Sequence, residues 1–147
     1  MEYLVGISLA LGVAIFGTLS RFERDRAFYP TMAIAIASYY ELFSVMGGSS
    51  NALGLETIAF LGFVAIAVIG YRTTLWWAVA AIAGHGIFDI VHPHIVSNPG
   101  VPSWWPMFCM TYDVTAGLYL AYLLSTSKVQ TRRPAEKPLS ILPSNAS

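Results

Sequence analysis

Six ionisable side chains stand inside apolar stretches of this chain: Glu41, Glu56, His85, Asp89, His92 and Asp113, with His94 just beyond the last of the stretch that holds three of them. Imidazole and carboxylate are the donors that zinc and non-haem iron accept most readily. His85, Asp89 and His92 are spaced i, i+4, i+7, and at 100° per residue a helix confines them to an arc of about 60°. They form one polar stripe. Its spacing predicts metal ligands in His85, Asp89 and His92, completed by a carboxylate from Glu41 or Asp113. The carboxylate left over would orient an imidazole or serve as a base. The stripe H-x3-D-x2-H is not the HExxH signature, so the expectation is a divalent metal, zinc or iron, with no spacing that chooses between them. Without a metal, the same groups suit proton transfer by a buried carboxylic acid, as in double-bond isomerisation.

The neighbours of these residues add detail. Gly84 and Gly86 flank His85 and leave room for a close helix or a ligand. Pro93 has no N–H and disfavours helical geometry at His92, so the helix is expected to end there, with His92 and His94 at the rim. Cys109 and Asp113 share a face by i, i+4 spacing, with Tyr112 beside them. Ser103 is placed to cap that helix, and Pro106 is tolerable in its first turn. The chain's single cysteine excludes an intramolecular disulfide, a CxxC pair and a thiolate zinc cage, and Cys109 reads as a small packing residue. Glu56 alone reads as a structural hydrogen-bond partner and His94 as a solvated loop histidine.

The elements that must hold these residues follow from composition. Of 147 residues 56% are hydrophobic and 11% charged, with mean hydropathy +0.61, against about 25% charged in an average soluble domain. A spanning helix needs about 20 mostly apolar residues. Five such stretches are legible, at 2–20, 28–46, 52–70, 74–95 and 104–125, separated by RFERDR, GGSSN, Tyr71-Arg72-Thr73 and SNPGVPS. The expected fold is therefore an all-α membrane bundle of five transmembrane helices over 1–125, followed by a Pro- and Ser-rich, disordered cytoplasmic tail over 126–147. With the N-terminus outside, Arg21, Arg24, Arg26, Arg72, Lys128, Arg132, Arg133 and Lys137 all fall on the cytoplasmic side, as the positive-inside rule requires. Trp76 and Trp77 then sit near the inner face, and Trp104 and Trp105 near the outer one. The first stretch lacks the basic n-region of a cleavable signal and reads as a retained anchor. Every ionisable group of the spans falls at mid-depth or in the outer half. Ser8-x3-Gly12 and Ala10-x3-Ala14 read as helix packing. Eight Lys and Arg balance eight Asp and Glu, which leaves no basic surplus for nucleic acid.

The segments YELFSVMGGS (40–49), GHGIFDIVH (84–92) and NPGVPSWWPMFCMTYD (98–113) resemble those of small bacterial multi-span membrane proteins. The resemblance covers most of the chain before its tail. It implies a bacterial inner-membrane protein, marks Glu41, His85, Asp89, His92, Cys109 and Asp113 as motif positions, and implies no substrate. In architecture alone, five short spans around acidic groups and a histidine are also similar to sterol isomerases of the emopamil-binding family. Two classes of function are consistent with this pattern. One is a membrane enzyme, a metal-dependent hydrolase or oxidoreductase or a metal-free isomerase, acting on a lipid or small apolar molecule, with Asp113 and Glu41 as candidate catalytic carboxylates. The other is a non-enzymatic module: a metal or ligand binder, a homo-oligomer, or a subunit of a larger membrane complex. Polar groups confined to one half leave a monomer without an evident path across the membrane, which disfavours transport.

Overall fold

The computed structural model describes residues 1–129, and these are all-helical, with no strand among them. Helices α1 (Glu2–Ser20), α4 (Ser50–Arg72) and α6 (Trp105–Ser125) are each long and apolar enough to cross a membrane. Helices α2 (Phe28–Ala37) and α3 (Tyr39–Met46) divide the second apolar stretch, and α5 (Trp76–Ile95) carries the polar stripe. The break between α2 and α3 falls at Ser38, whose hydroxyl donates to the Ala35 carbonyl at 2.7 Å. Such local back-bonding competes with the backbone ladder and bends helices.

The turns follow from the residues that punctuate the sequence. Ser49 caps α4, its side chain accepting from the Ala52 amide at 3.2 Å. Arg21 closes α1 in left-handed geometry, φ 62°. At the same end of the bundle the Arg26 guanidinium donates to the carbonyls of Tyr71 (2.7 Å), Thr73 (2.8 Å) and Gly70 (3.1 Å), a cation set on the negative end of α4. The five Lys and Arg of the described residues, Arg21, Arg24, Arg26, Arg72 and Lys128, all lie at this end. At the opposite end α3 and the loop after α5 meet backbone to backbone. A Cβ at Gly100 would collide with the Phe43 carbonyl, so only glycine fits there.

Three sequence expectations are corrected in detail. Pro93 does not end α5, which continues to Ile95. The ring removes only the bond to the carbonyl four residues back, and the helix has one further turn to run, closed by Val96 N–H to His92 O at 2.9 Å. Ser103 does not cap α6, whose N-cap position is Trp104 without a side-chain cap. Small residues do pack α1 on the face of Ala10 and Ala14, where Gly6 and Ala10 are buried and Gly6 lies against Thr111 and the Phe108 carbonyl, but not on that of Ser8 and Gly12, which is exposed. Of the tail expected from residue 126, Thr126 to Val129 are described and end with Val129 buried in the core, while 130–147 lie outside the described residues.

Helix α5 packs on α6 and α4, α1 on α6, and α2 and α3 on α4. In the half of the bundle near Leu75 and Val129 the interior is apolar apart from Glu23, which accepts from Thr18 Oγ1 at 3.0 Å, and is built by Ala78, Ala81, Ile82, Leu120 and Leu123 around Tyr29 and Ala33. In the other half the interior is polar. The exterior carries Leu, Ile, Val and Phe, for example Leu4, Ile15, Ile58, Leu61 and Ile87. An apolar exterior around buried charges is the arrangement that a hydrocarbon solvent favours.

Candidate metal centre

The buried polar half is organised by α5 and α6. His85, Asp89 and His92 all point inward, exposed by 2%, 0% and 2%. Opposite them on α6 stand Cys109 and Asp113, also buried. The two helices come close because Gly86 and Gly117 lack side chains: a Cβ on Gly86 would stand 3.1 Å from the Asp113 Cβ, and one on Gly117 3.1 Å from the Ala83 Cβ. Gly84, the other glycine beside His85, has nothing within 4 Å of its Cβ position. Close packing at Gly86 therefore sets Asp113 against the stripe.

His85, Asp89, Cys109 and Asp113 form one group, each offering a ligand atom within 4.8 Å of the others. His85 Nδ1 lies 2.8 Å from Asp113 Oδ2 and 3.6 Å from Asp89 Oδ2. The Cys109 thiol stands 3.7 Å from Asp113 Oδ2. Tyr40 donates its hydroxyl to Asp89 Oδ1 at 2.7 Å. Phe63 meets His85 edge-on at 4.9 Å between ring centroids, and Phe88 closes the same side. Asp89 Oδ2 and Asp113 Oδ1 have no hydrogen-bond partner among the described residues. A tetrahedral zinc site with bonds of about 2.0–2.3 Å holds its donors roughly 3.3–3.8 Å apart, so this group, up to 4.8 Å apart, needs a contraction of about 1–1.5 Å at its widest. Two carboxylates and a thiol beside one imidazole, shut off from water, are also short of positive charge, which a divalent cation would supply.

His92 belongs to a different group. Its Nε2 is 2.7 Å from Glu56 Oε1, and its ring stacks on Tyr40 with centroids 3.8 Å apart. The two amide hydrogens of Asn98 Nδ2 are shared among the same Glu56 oxygen (2.9 Å), Ser44 Oγ (2.8 Å) and the Tyr40 carbonyl (3.1 Å). His92 is thus enclosed rather than at the rim, and Glu56, exposed by 1%, is part of an interior network. The reason is axial distance. Seven residues of helix separate His85 from His92 by about 10.5 Å, and side chains leaning the same way along a helix keep that separation out to the rings. Glu41 is apart from both groups: it is half-buried and accepts from Thr57 Oγ1 at 2.9 Å. His94 is exposed. Of the sequence-derived ligand set, the structure brings together His85, Asp89 and Asp113, adds Cys109, and leaves His92 and Glu41 outside.

Tyr40, Ser44 and Asn98 are the residues that sequence reasoning missed. Tyr40 and Ser44 are a polar pair at i, i+4 inside an apolar stretch, the same signal that marked Cys109 and Asp113. Asn98 sits in a segment whose composition reads as a turn, and nothing local shows that its amide turns inward.

No family model, curated protein or solved structure matches the chain. Fold and site define a helical protein with three helices suited to a membrane and a buried His/Asp/Cys group that could hold a metal ion.

Proposed function

We propose that the chain is a five-span inner-membrane protein of bacterial type, its N-terminus outside, and that the His85–Asp89–Asp113 group binds a divalent metal, zinc or iron, for an enzyme acting on a lipid or small apolar molecule. The carrying observation is the convergence of these buried side chains with two carboxylate oxygens, Asp89 Oδ2 and Asp113 Oδ1, that have no hydrogen-bond partner among the described residues. Unpartnered buried carboxylate oxygens are costly, and a cation is the partner that uses both. His85, Asp89 and Asp113 would supply the ligands, with Cys109 beside them, and a metal held there would polarise a substrate oxygen or lower the pKa of a water. Five spans are supported by the five apolar stretches alternating between the two ends of the bundle, α2 and α3 together making one of them. The orientation rests on the gathering of Arg21, Arg24, Arg26, Arg72 and Lys128 at one end.

One observation favours a metal-free reading: His85 and Asp113 already form a 2.8 Å bond, a pair able to hold and pass one proton. Metal analysis separates the two. Detergent-purified protein is analysed by mass spectrometry for bound metal, wild type beside His85→Ala and Asp89→Ala, with size exclusion as the check on folding. Near-stoichiometric zinc or iron that is lost in both variants is the expected result. Absence of metal in wild type after supplementation overturns the metal site and leaves the acid–base pair.

A further inference from the structure

The stretch between α1 and α2 is open over part of its length. Helix α1 packs on α6 and on the 3-10 turn Phe22–Arg24 and meets α2 beside Gly17 and Phe28, leaving a cleft along the rest with α6 as its floor. Three adjoining pockets mark it. One of about 580 Å³ lies by Met1, Val5 and Trp104; a middle one of about 280 Å³ lies by Leu9, Tyr39 and Cys109; a third of about 510 Å³ lies by Val13, Phe22 and Phe28. They are continuous: the first and second share Leu9, Trp105 and Phe108, and the second and third share Met32, Ala35 and Tyr112. The walls are apolar and reach the exterior through Leu9, Tyr39 and Trp104, each exposed by two-fifths or more. Of the four residues of the candidate metal centre, Cys109 alone lines the cleft.

We infer that this cleft is a lateral binding site for one hydrocarbon chain of a bilayer lipid, and that the bound chain meets the His/Asp/Cys group at Cys109. The second half of this inference rests on the metal-site reading; the first does not. Size selects the occupant. The middle pocket extends along α6 from Trp105 to Tyr112, about 10 Å of axis, and its free space averages no more than roughly 8 Å across. That admits a hydrocarbon chain and is narrower than the roughly 10–12 Å diameter of a helix with its side chains, which disfavours a second copy's helix at this depth. Chemistry agrees with size. Apart from the Cys109 thiol, the side-chain polar atoms of the middle pocket are the Tyr39 and Tyr112 hydroxyls and the Trp105 indole N–H, and Tyr112 already donates to Met32 Sδ at 3.5 Å. A polar ligand would lose its hydration there with few partners in return. An apolar chain exchanges lipid neighbours for Leu9, Met32, Ile36 and Phe108, although it leaves the buried Trp105 indole N–H without a partner. The cleft's position also resolves how an apolar substrate could approach a site whose charged groups are shut off from water: it comes from the side, through the hydrocarbon, with Cys109 as the threshold.

The test uses the full chain in vesicles of phosphatidylethanolamine and phosphatidylglycerol doped with a phospholipid bearing a diazirine at successive positions of one acyl chain. After irradiation, adducts are mapped by mass spectrometry. Adducts are expected on Met32, Tyr39, Phe108 and Tyr112, and at one probe depth on Cys109, at least about fivefold above those on Ile58 and Leu61, which face outward on α4. Ala35→Trp and Leu9→Trp, which fill the cleft, are each expected to cut the cleft adducts about fivefold, whereas Ala65→Trp on the outer side of α4 leaves them unchanged. Equal labelling of cleft and α4, or cleft residues joined only to a second copy of the chain, overturns the lipid site; this is read in wild type and does not depend on the variants folding. Cleft adducts with none on Cys109 at any probe depth overturn the junction. Metal content measured on the same samples keeps the two ideas apart: metal without cleft labelling removes the cleft, and cleft labelling without metal removes the metal centre.

Discussion

Replacing Glu56 by alanine removes the acceptor shared by His92 Nε2 at 2.7 Å and Asn98 Nδ2 at 2.9 Å. The two losses are unequal. Asn98 keeps Ser44 Oγ and the Tyr40 carbonyl, so its share is about 0.5 kcal/mol. His92 is left with no partner, since its Nδ1 has none among the described residues, and an orphaned buried donor costs about 1–3 kcal/mol. Hydrogen bonds between membrane helices fall at the lower end of that range, which sets the total at about 1.5 kcal/mol. For a chain of this size each kcal/mol lowers Tm by about 2–4 °C, so a fall of roughly 3–6 °C is expected. Cys109 provides the assay. It is the single cysteine and is 4% exposed, so a thiol-reactive dye reports unfolding in mild detergent as the thiol is uncovered. Glu56→Gln keeps a carbonyl oxygen for both donors and is expected to lose less than half as much. A fall below about 2 °C for Glu56→Ala, or equal falls for the two variants, would refute the view that this carboxylate holds His92 in place.

Other outcomes follow from the same contacts. Gly86→Val forces a branched side chain between α5 and Asp113, and is expected to cost about 1–3 kcal/mol by overpacking and to lower bound metal, read by the same dye and by mass spectrometry; Gly84→Ala, with open space at its Cβ, is expected to leave Tm unchanged or raise it. Arg26→Ala uncovers three carbonyls at the end of α4 and is expected to lower Tm by about 2–6 °C, with Arg26→Lys restoring less than half, because a point charge cannot reach all three at once. In a Cys109→Ala background, single cysteines at Ser50 and Lys128 are expected to react with an impermeant maleimide from opposite sides of the membrane; reaction from the same side would remove the odd number of spans.

Hydrophobic runs and their punctuation carry the helices, because a run of about 20 apolar residues and a Gly, Ser or Pro break are local facts of the chain. Hence the stretches at 2–20, 28–46, 52–70, 74–95 and 104–125 correspond closely to α1, the pair α2 and α3, α4, α5 and α6. The break at Ser38 was not legible, since one serine hydroxyl bending a helix looks no different in sequence from one that does not. Helical periodicity is equally local, and it correctly sets His85, Asp89 and His92 on one buried face and Cys109 with Asp113 on another. Which of those faces meet is another matter. It depends on how α5 and α6 rotate and approach at Gly86 and Gly117, and on where α4 and the loop after α5 come to rest. The stripe consequently divides, His85 and Asp89 joining Asp113 and Cys109 while His92 turns to Glu56 and Asn98. Sequence by itself therefore determined the apolar stretches and the shared face of His85, Asp89 and His92, from interactions within a turn or two, though not where α5 ends or what caps α6. The tertiary structure alone decided the partners, because contacts between residues tens of positions apart are selected by packing of whole helix faces.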